Sequence, residues 1–394
     1  MTSQSLTITR LSVADSEFEN QLLRLLQREM LIADDVTEIV TAILKDVRAR
    51  GDQAVLEYTR KFDDFDAASI QDLSVSREQM LASLENLADP QRQALEHAAQ
   101  RIGSYHERQK QGSWHYEEAD GSIYGQKVSP LERVGVYVPG GKANYPSSVL
   151  MLAIPARVAG VKEIIATVPT AYGPEVDLIF AAAALAGVDR LFTIGGAQAI
   201  AALAYGTESI PRVDKITGPG NIFVTVAKKL VFGEVGIDLI AGPSELTIIC
   251  DGSTDPDWVA MDLFSQAEHD EQAQAILIAT SAEFLDQVLA SIERLLPSME
   301  RRSIIHESLQ NRGIFILAAD LETAAMASNL IAPEHLELSV VDSEQLLPRI
   351  DHAGAIFLGK YSAEALGDYC AGPSHVLPTS GTARFFSEDR KSVV

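Results

Sequence analysis

One segment of the sequence, FSQAEHDE at 264–271, could hold a metal ion. Gln266 and His269 are three residues apart, so a helix here would place both side chains on one face. An oxygen donor and an imidazole nitrogen so placed can bind one metal, and Asp262, one turn earlier, would share that face. The alternative is an exposed polar helix, because helical pairs that contain histidine are common by chance.

A carboxylate and an imidazole are adjacent in APEHLEL at 332–338, as Glu334 and His335, just before an apolar-alternating strand. Neighbours within a strand point to opposite faces, but in the loop before it both side chains can face one cleft. Together these groups are suited to general acid–base catalysis near neutral pH. A surface pair in a loop after a proline is the alternative.

A Gly/Pro-rich loop, GDYCAGPSHVLPT at 367–379, follows the last predicted strand. Long polar loops in this position are often functional. Its Asp368 could bind a metal, and its His375 could contact a substrate.

Four glycine-rich turns follow strands or open helices: YVPGG (137–141), IGGAQ (194–198), GPGN (218–221) and AGPSE (241–245). In open α/β sheets such turns at the carboxyl ends of strands bind ligands, and a helix N-terminus favours a phosphate. Taken singly, each turn is better explained as a tight turn without a ligand. Since no G-x-G-x-x-G with a later acidic residue is present, the turns permit nucleotide binding only of a non-standard type.

The elements that must position these residues are short apolar runs alternating with Ala-rich helical segments such as 177–187. The runs are 134–138, 163–168, 190–194, 246–250, 275–279, 313–317 and 355–359. Continuous apolar strands between helices indicate parallel sheet buried on both faces. We therefore predict an α/β fold with two doubly wound, Rossmann-like domains that join near residues 240–245. Residues 15–120 are helix-patterned, with Gly51 at the junction of two helices.

The composition excludes several functional classes. The 394 residues carry a formal net charge of −23, which repels nucleic acids and anionic membranes. Two cysteines, Cys250 and Cys370, provide neither a disulfide framework nor a cysteine zinc site. The N-terminus lacks the apolar region of a signal peptide, and the apolar stretch at 148–159 is too short to span a bilayer. We expect a cytoplasmic protein with no nucleic-acid or membrane partner.

In their order and spacing, the motifs together resemble those of the histidinol dehydrogenase family, from about residue 20 to 386. The segments that carry the resemblance are VGVYVPGG, GGAQAIAALAYGTE, VDKITGPGN, IAGPSE, SQAEHD, PEHLEL and GDYCAGPSHVLPTSGTARF. The resemblance implies oxidation of L-histidinol to L-histidine through L-histidinaldehyde, with two NAD⁺, as the last steps of histidine biosynthesis. It also implies one Zn²⁺ per subunit.

The resemblance further implies roles for individual residues. It implies zinc ligands at Gln266, His269 and Asp368, and an acid–base pair at Glu334 and His335. It implies NAD contacts at Tyr137, Gln198 and Asn221. The implied substrate contacts are Ser244, Gln266, His269, His335, Asp368 and His375.

The domain organisation implied by the resemblance has four parts. These are a helical N-terminal segment (1–32), a catalytic zinc and substrate domain (33–136 plus 244–386), an NAD-side domain (137–243) and the remnant of a C-terminal tail (387–394). In the family the tail crosses to the partner of a homodimer, where its glutamate and histidine complete the active site. FSEDRKSVV matches no fourth zinc ligand, so we expect a longer natural polypeptide. Failing that, Asp262 is the first candidate for the fourth ligand.

Three other functions remain open from the sequence. A related zinc dehydrogenase could act on another small alcohol, such as a sulfopropanediol, although AGPSE and GPSHVLPT argue against it. A binding protein without catalytic activity is the second. A hydrolase with a metal at Gln266, His269 and Asp368 is the third, but it leaves the glycine turns unexplained.

Overall fold

A computed structural model describes residues 6–27, 34–63, 65–140, 145–169 and 176–386. The chain divides into two compact units. Unit 1 comprises Met1–Met30, Ala241–Gly367 and Leu377–Val394, and unit 2 comprises Leu31–Ile240 and Asp368–Val376. Among the described helices, none combines the length and apolar character needed to cross a bilayer.

The helices and strands are numbered in chain order. Up to residue 240 they are β1 (Thr9–Ser12), α1 (Phe18–Leu26), α2 (Asp34–Arg50), α3 (Asp52–Phe62), β2 (Ser74–Val75), α4 (Arg77–Asn86), α5 (Asp89–Glu107), β3 (Trp114–Glu117), β4 (Ile123–Gln126), β5 (Arg133–Tyr137), α6 (Pro146–Val158), β6 (Glu163–Thr167), α7 (Val176–Ala186), β7 (Arg190–Phe192), α8 (Gly196–Tyr205), β8 (Lys215–Thr217), α9 (Ile222–Val231) and β9 (Gly236–Ile237). After residue 240 they are β10 (Glu245–Cys250), α10 (Pro256–Ala267), β11 (Gln274–Ala279), α11 (Ala282–Leu295), α12 (Arg302–Arg312), β12 (Ile314–Leu317), α13 (Leu321–Ile331), β13 (His335–Ser339), α14 (Ser343–Leu346), β14 (Ala355–Leu358) and α15 (Glu364–Tyr369).

Unit 2 is built on a six-stranded sheet of order β2-β7-β6-β5-β8-β9. Its strand pairs are parallel except β2–β7. Successive strand residues face opposite sides: Ile164 packs in the core with α4 to α7, and Ile165 packs in the core with α2, α3, α8 and α9. Helices therefore cover both faces of the sheet, as the continuous apolar strands predict.

Unit 1 is built on a second six-stranded sheet, of order β1-β12-β11-β10-β13-β14, in which each pair is parallel. Ile248 packs with α10, α11 and α12 on one face, and Ile249 packs with α1 and α13 on the other. The predicted α/β fold with two Rossmann-like domains is thus confirmed, and each of the seven predicted apolar runs contains a strand.

The division of the chain differs from the expected one in its first 136 residues and at 368–376, a segment expected in the catalytic domain that belongs to unit 2. Residues 9–12, expected in a helical segment, form β1 at the edge of the unit 1 sheet, beside β12. Residues 33–136, expected in the catalytic domain, belong to unit 2. The physical reason is that α2 and α3 bury Val40, Val47 and Val55 in the same core as α8 and α9. The predicted tail remnant, 387–394, lies outside the described residues.

Candidate active site

The predicted acid–base pair lies at the amino end of β13 in unit 1. His335 is the first residue of the strand, and Glu334 comes directly before it. Both side chains are almost fully buried, and Glu334 Oε2 lies 3.7 Å from His335 Nδ1. Glu334 Oε2 also accepts a hydrogen bond of 2.8 Å from the backbone N–H of Glu245, the first residue of β10. The neighbouring strand therefore fixes the carboxylate beside the imidazole.

Backbone contacts determine which nitrogen of His335 carries the proton in the neutral imidazole. Nδ1 lies 3.1 Å from the carbonyl oxygen of Glu245. Because a carbonyl can only accept, Nδ1 must donate, and Nε2 is the nitrogen that can take up a proton. Nε2 lies 3.9 Å from Oε1 of the buried Glu364. The geometry thus favours His335 as a base that acts through Nε2.

Gln266 and His269 lie at the end of α10, also at the amino edge of the sheet, ahead of β11. The helix ends at Ala267, so His269 follows the helix and does not share a helical face with Gln266 as the spacing predicted. Nδ1 of His269 lies 3.3 Å from the carbonyl oxygen of Gln266. Such a contact, in which one ring N–H donates to a backbone carbonyl, is typical of histidines that bind a metal through the other nitrogen.

The Gln266 side chain provides a test of whether these residues fit a metal. It is 0% exposed, and neither Oε1 nor Nε2 has a hydrogen-bond partner among the described residues. An unpaired buried polar group costs on the order of 1–3 kcal/mol. A Zn²⁺ ion that takes Oε1 as a ligand would remove part of that cost, so the Gln266 side chain fits a metal ligand.

Three buried or half-buried carboxyl groups lie next to the acid–base pair. Glu337, two residues after His335 on β13, accepts a hydrogen bond of 2.6 Å from the backbone N–H of Glu364. Its carboxyl group is also hydrogen-bonded to Asp262 of α10. Burial raises the pKa of Glu337 well above its ordinary value and raises the pKa of Asp262 to about 6. Asp262, considered above as a fourth metal ligand, is here a partner of Glu337.

Sequence reasoning missed Glu337 and Glu364. Two signals could have identified them. Glu337 is two residues from His335 along a strand, hence on the same face. Glu364 is four residues before Asp368, and both lie in α15.

His375 lies in the loop after α15, and both of its ring nitrogens have hydrogen-bond partners in unit 2. Nδ1 lies 2.9 Å from the carbonyl oxygen of Asp368, and Nε2 lies 2.9 Å from Oγ of Ser148 on α6. Since the carbonyl must accept, Nδ1 carries the hydrogen and the Ser148 hydroxyl donates to Nε2. Asp368 itself is half-buried in α15, and Ser244 of unit 1 is half-buried directly before β10.

Two of the predicted NAD contacts come together at the carboxyl end of the unit 2 sheet. Tyr137 ends β5, and its hydroxyl oxygen accepts a hydrogen bond of 3.2 Å from the N–H of Gly196, where α8 begins. Gln198, two residues later, donates through Nε2 to Asp63 at 3.4 Å. Both predicted residues are buried, and burial raises the pKa of Tyr137 to about 12. Asp63, which sequence reasoning missed, is a further member of this group.

Asn221 lies in the next turn of the same edge, between β8 and α9. Its Oδ1 accepts hydrogen bonds from the N–H groups of Phe223 and Val224, so the side chain caps α9. The turn begins at Gly218, whose φ is +123° and where an added Cβ would lie 2.0 Å from the carbonyl oxygen of Tyr137. Glycine is therefore required for this backbone to pack against the end of β5.

Comparison with known proteins agrees with the resemblance found in the sequence. Residues 26–388 match the family model for histidinol dehydrogenase. A histidinol dehydrogenase of Pseudomonas savastanoi pv. phaseolicola is 62% identical over 380 residues, which are 96% of this chain and 85% of the relative. One from Dechloromonas aromatica is 60% identical and is covered to 88%.

A solved structure has the same fold over nearly the whole chain. The crystal structure of histidinol dehydrogenase from Elizabethkingia anophelis matches with a TM-score of 0.91 and 37% sequence identity. The match covers 98% of this chain and 88% of that one. The chain therefore belongs to the histidinol dehydrogenase family.

Proposed function

We propose that this protein oxidises L-histidinol to L-histidine through L-histidinaldehyde and reduces two NAD⁺ for each histidine formed. Family membership supports this reaction, and the observation that carries it is the buried Glu334–His335 pair, in which Nε2 of His335 is the proton-accepting nitrogen. An alcohol oxidised by hydride transfer must also lose its hydroxyl proton, and an imidazole is suited to take it near neutral pH.

We propose that Gln266, His269 and Asp368 hold one Zn²⁺ per subunit. The support from this chain is the buried Gln266 amide, which has no hydrogen-bond partner among the described residues, and the contact of His269 Nδ1 with the Gln266 carbonyl, in which Nδ1 donates and Nε2 would be the ligand atom. When bound, the zinc would fix the imidazole and amino group of histidinol, so that the alcohol carbon faces the nicotinamide. Ser244 and His375 would contact the same substrate.

In the first oxidation, Nε2 of His335 takes the hydroxyl proton while the carbon-bound hydrogen leaves as hydride. When bound, NAD⁺ would accept the hydride, and Tyr137, Gln198 and Asn221 would contact it. In the second oxidation, Glu334 removes a proton from a water molecule that adds to the aldehyde. His335 returns the proton that it took in the first oxidation to the former carbonyl oxygen, which gives a neutral gem-diol and a neutral imidazole. His335 then takes a proton from the resulting gem-diol as the second hydride leaves. Four electrons and two NAD⁺ balance the change from alcohol to acid.

We also propose a cytoplasmic homodimer in which a glutamate and a histidine from the partner's C-terminal tail complete each active site. The resemblance of the sequence to the family supports this assembly. Sedimentation of the purified protein measures the subunit number directly.

The test of the proposed function is the stoichiometry of the reaction. The purified protein, incubated with L-histidinol and NAD⁺, should form two NADH per histidine, and metal analysis should give one zinc per chain. A sulfopropanediol serves as the competing substrate. Oxidation of that diol without turnover of histidinol would overturn the proposal in favour of the related zinc dehydrogenase.

A further inference from the structure

A buried ion pair lies behind the glycine turn at 218–221 in unit 2. Lys228, in the last turn of α9, pairs with Asp238, which follows β9 directly. The two side chains are 3% and 10% exposed. Lysine and aspartate are rarely buried unless they are paired, because taking each charge out of water is costly. A buried ion pair is weak evidence for a stabilising role, so we looked for another role of Lys228 and Asp238.

Both charged groups bind the same residue. Lys228 Nζ donates to the carbonyl oxygen of Gly218 at 2.7 Å, and the N–H of Gly218 donates to Asp238 Oδ2 at 2.7 Å. The ion pair thus holds both backbone polar groups of one glycine, and it does so with charge-assisted hydrogen bonds, which are stronger than neutral ones.

Gly218 connects the ion pair to two of the residues proposed to contact NAD. On one side its backbone lies against the carbonyl oxygen of Tyr137, so closely that only a glycine fits. On the other side the turn leads within three residues to Asn221, the cap of α9. A displacement of Gly218 would therefore move the turn that carries Asn221 relative to the end of β5.

We propose that Lys228 and Asp238 are positioning residues for the NAD site, which act through Gly218 to fix Tyr137 and Asn221. The inference rests on the proposed function, in which Tyr137 and Asn221 contact NAD. A misplacement of about 1 Å can cost on the order of a hundredfold in the efficiency of a site. A purely structural ion pair would instead affect stability alone.

The test compares Asp238→Asn with a matched control in the same unit. The amide retains an acceptor for the Gly218 N–H but removes the charge that holds Lys228. We expect the Kd for NAD⁺, measured by calorimetry, to rise about tenfold or more, since a charge-assisted hydrogen bond is lost. The KM for histidinol should change less than about twofold.

The control is Asp189→Asn. Asp189 pairs with Arg157 at 2.6 Å and accepts the N–H of Ile164 at 2.8 Å, so it uses the same kinds of contact. It precedes β7, at the amino end of the sheet, away from the glycine turn. We expect Asp189→Asn to lower the melting temperature without changing the Kd for NAD⁺. Equal changes of Kd in the two variants would overturn the proposal.

Two further comparisons cover a variant that does not fold and a wild type that lacks the proposed activity. If Asp238→Asn does not fold, the double variant Lys228→Met/Asp238→Leu removes both charges and leaves neither buried alone. It should show the same loss of NAD⁺ affinity, and wild-type affinity in it would refute the positioning role. Because Kd is measured without turnover, a wild type that binds NAD⁺ but does not oxidise histidinol overturns the proposed reaction and leaves this inference standing. A wild type that does not bind NAD⁺ overturns both.

Discussion

The hydrogen-bonded carboxyl groups of Asp262 and Glu337 predict a specific dependence of stability on pH. Burial and the Asp262 charge raise the pKa of Glu337 well above its ordinary value. The pKa of Asp262 is about 6, so Asp262 ionises inside the folded protein as the pH approaches neutrality. Asp262→Asn retains the shape and the hydrogen bond but cannot ionise.

The magnitude follows from the pKa of Asp262, which the fold raises from 3.8 to about 6. One pKa unit corresponds to about 1.4 kcal/mol, so the whole contribution is on the order of 3 kcal/mol. A carboxyl group with a raised pKa in the folded state stabilises the protein in its protonated form. That contribution is fully present below the unfolded pKa, near pH 4, and is lost as the pH rises through about 6. The free energy of unfolding of Asp262→Asn, relative to that of the wild type, should therefore be about 2 kcal/mol higher at about pH 7.5 than at about pH 4.5.

Trp258 in α10 allows this change to be measured in unit 1. The chain has two tryptophans, so a Trp114→Phe background leaves Trp258 as the only one. Its fluorescence during urea denaturation at the two pH values gives the free energy of unfolding for each variant. If the difference in free energy of unfolding between Asp262→Asn and the wild type is the same at both pH values, the reasoning is refuted.

Asp257→Asn, on the same helix, is the control for this measurement. Side-chain hydrogen bonds from Ser291 and Arg294 lower the pKa of Asp257. The contribution of Asp257 is present above its unfolded pKa and lost at lower pH. Its variant should therefore lose stability at about pH 7.5, with the opposite sign to Asp262→Asn.

Three predictions concern catalysis and the metal. His335→Asn should lose about 10²–10⁴-fold in the rate of both oxidations but retain zinc, because we propose Nε2 as the proton acceptor and not as a zinc ligand; unchanged turnover of histidinol would contradict the assignment. Glu334→Gln should slow the oxidation of the aldehyde more than that of the alcohol, since only the second step needs water. Product analysis should detect aldehyde released from histidinol. An equal loss of rate in both half-reactions would count against the activation of water by Glu334. His269→Ala should lose zinc and activity together, whereas Cys370→Ser should retain both; metal analysis that finds full zinc in His269→Ala would exclude this ligand.

The fold was largely predictable because the central strands are buried on both faces. Runs such as 246–250 and 275–279 are continuously apolar, and the structure has β10 and β11 there. The short or exposed strands β1, β2, β9 and the β3–β4 hairpin were missed, since their residues carry no such pattern. In the helix-patterned part, Ile39 of α2 is exposed, although Ile43 and Val47, which have the same helical spacing, are buried.

The site was predictable only where chemistry and sequence proximity coincide. Glu334 and His335 are adjacent in the chain and remain adjacent in space. Asp238 is twenty residues from the glycine that it binds, and Glu337 is paired with Asp262 across two elements. Such pairings are set by the packing of strands and helices, so no local pattern in the sequence shows which two groups will meet.

The two units present their candidate residues at opposite edges of their sheets, with an electrostatic consequence. In unit 1, Ser244, His269 and His335 lie at the amino ends of strands, where α10 and α13 end. The helix macrodipole places partial negative charge at that terminus, which favours a cation such as Zn²⁺ or the ammonium group of histidinol. In unit 2, Tyr137 and Asn221 lie at the carboxyl ends of strands, where α8 and α9 begin with their positive ends. The edge of the unit 1 sheet is thus suited to the cationic substrate that we propose, and the opposite edge of the unit 2 sheet is suited to the pyrophosphate of the proposed NAD⁺.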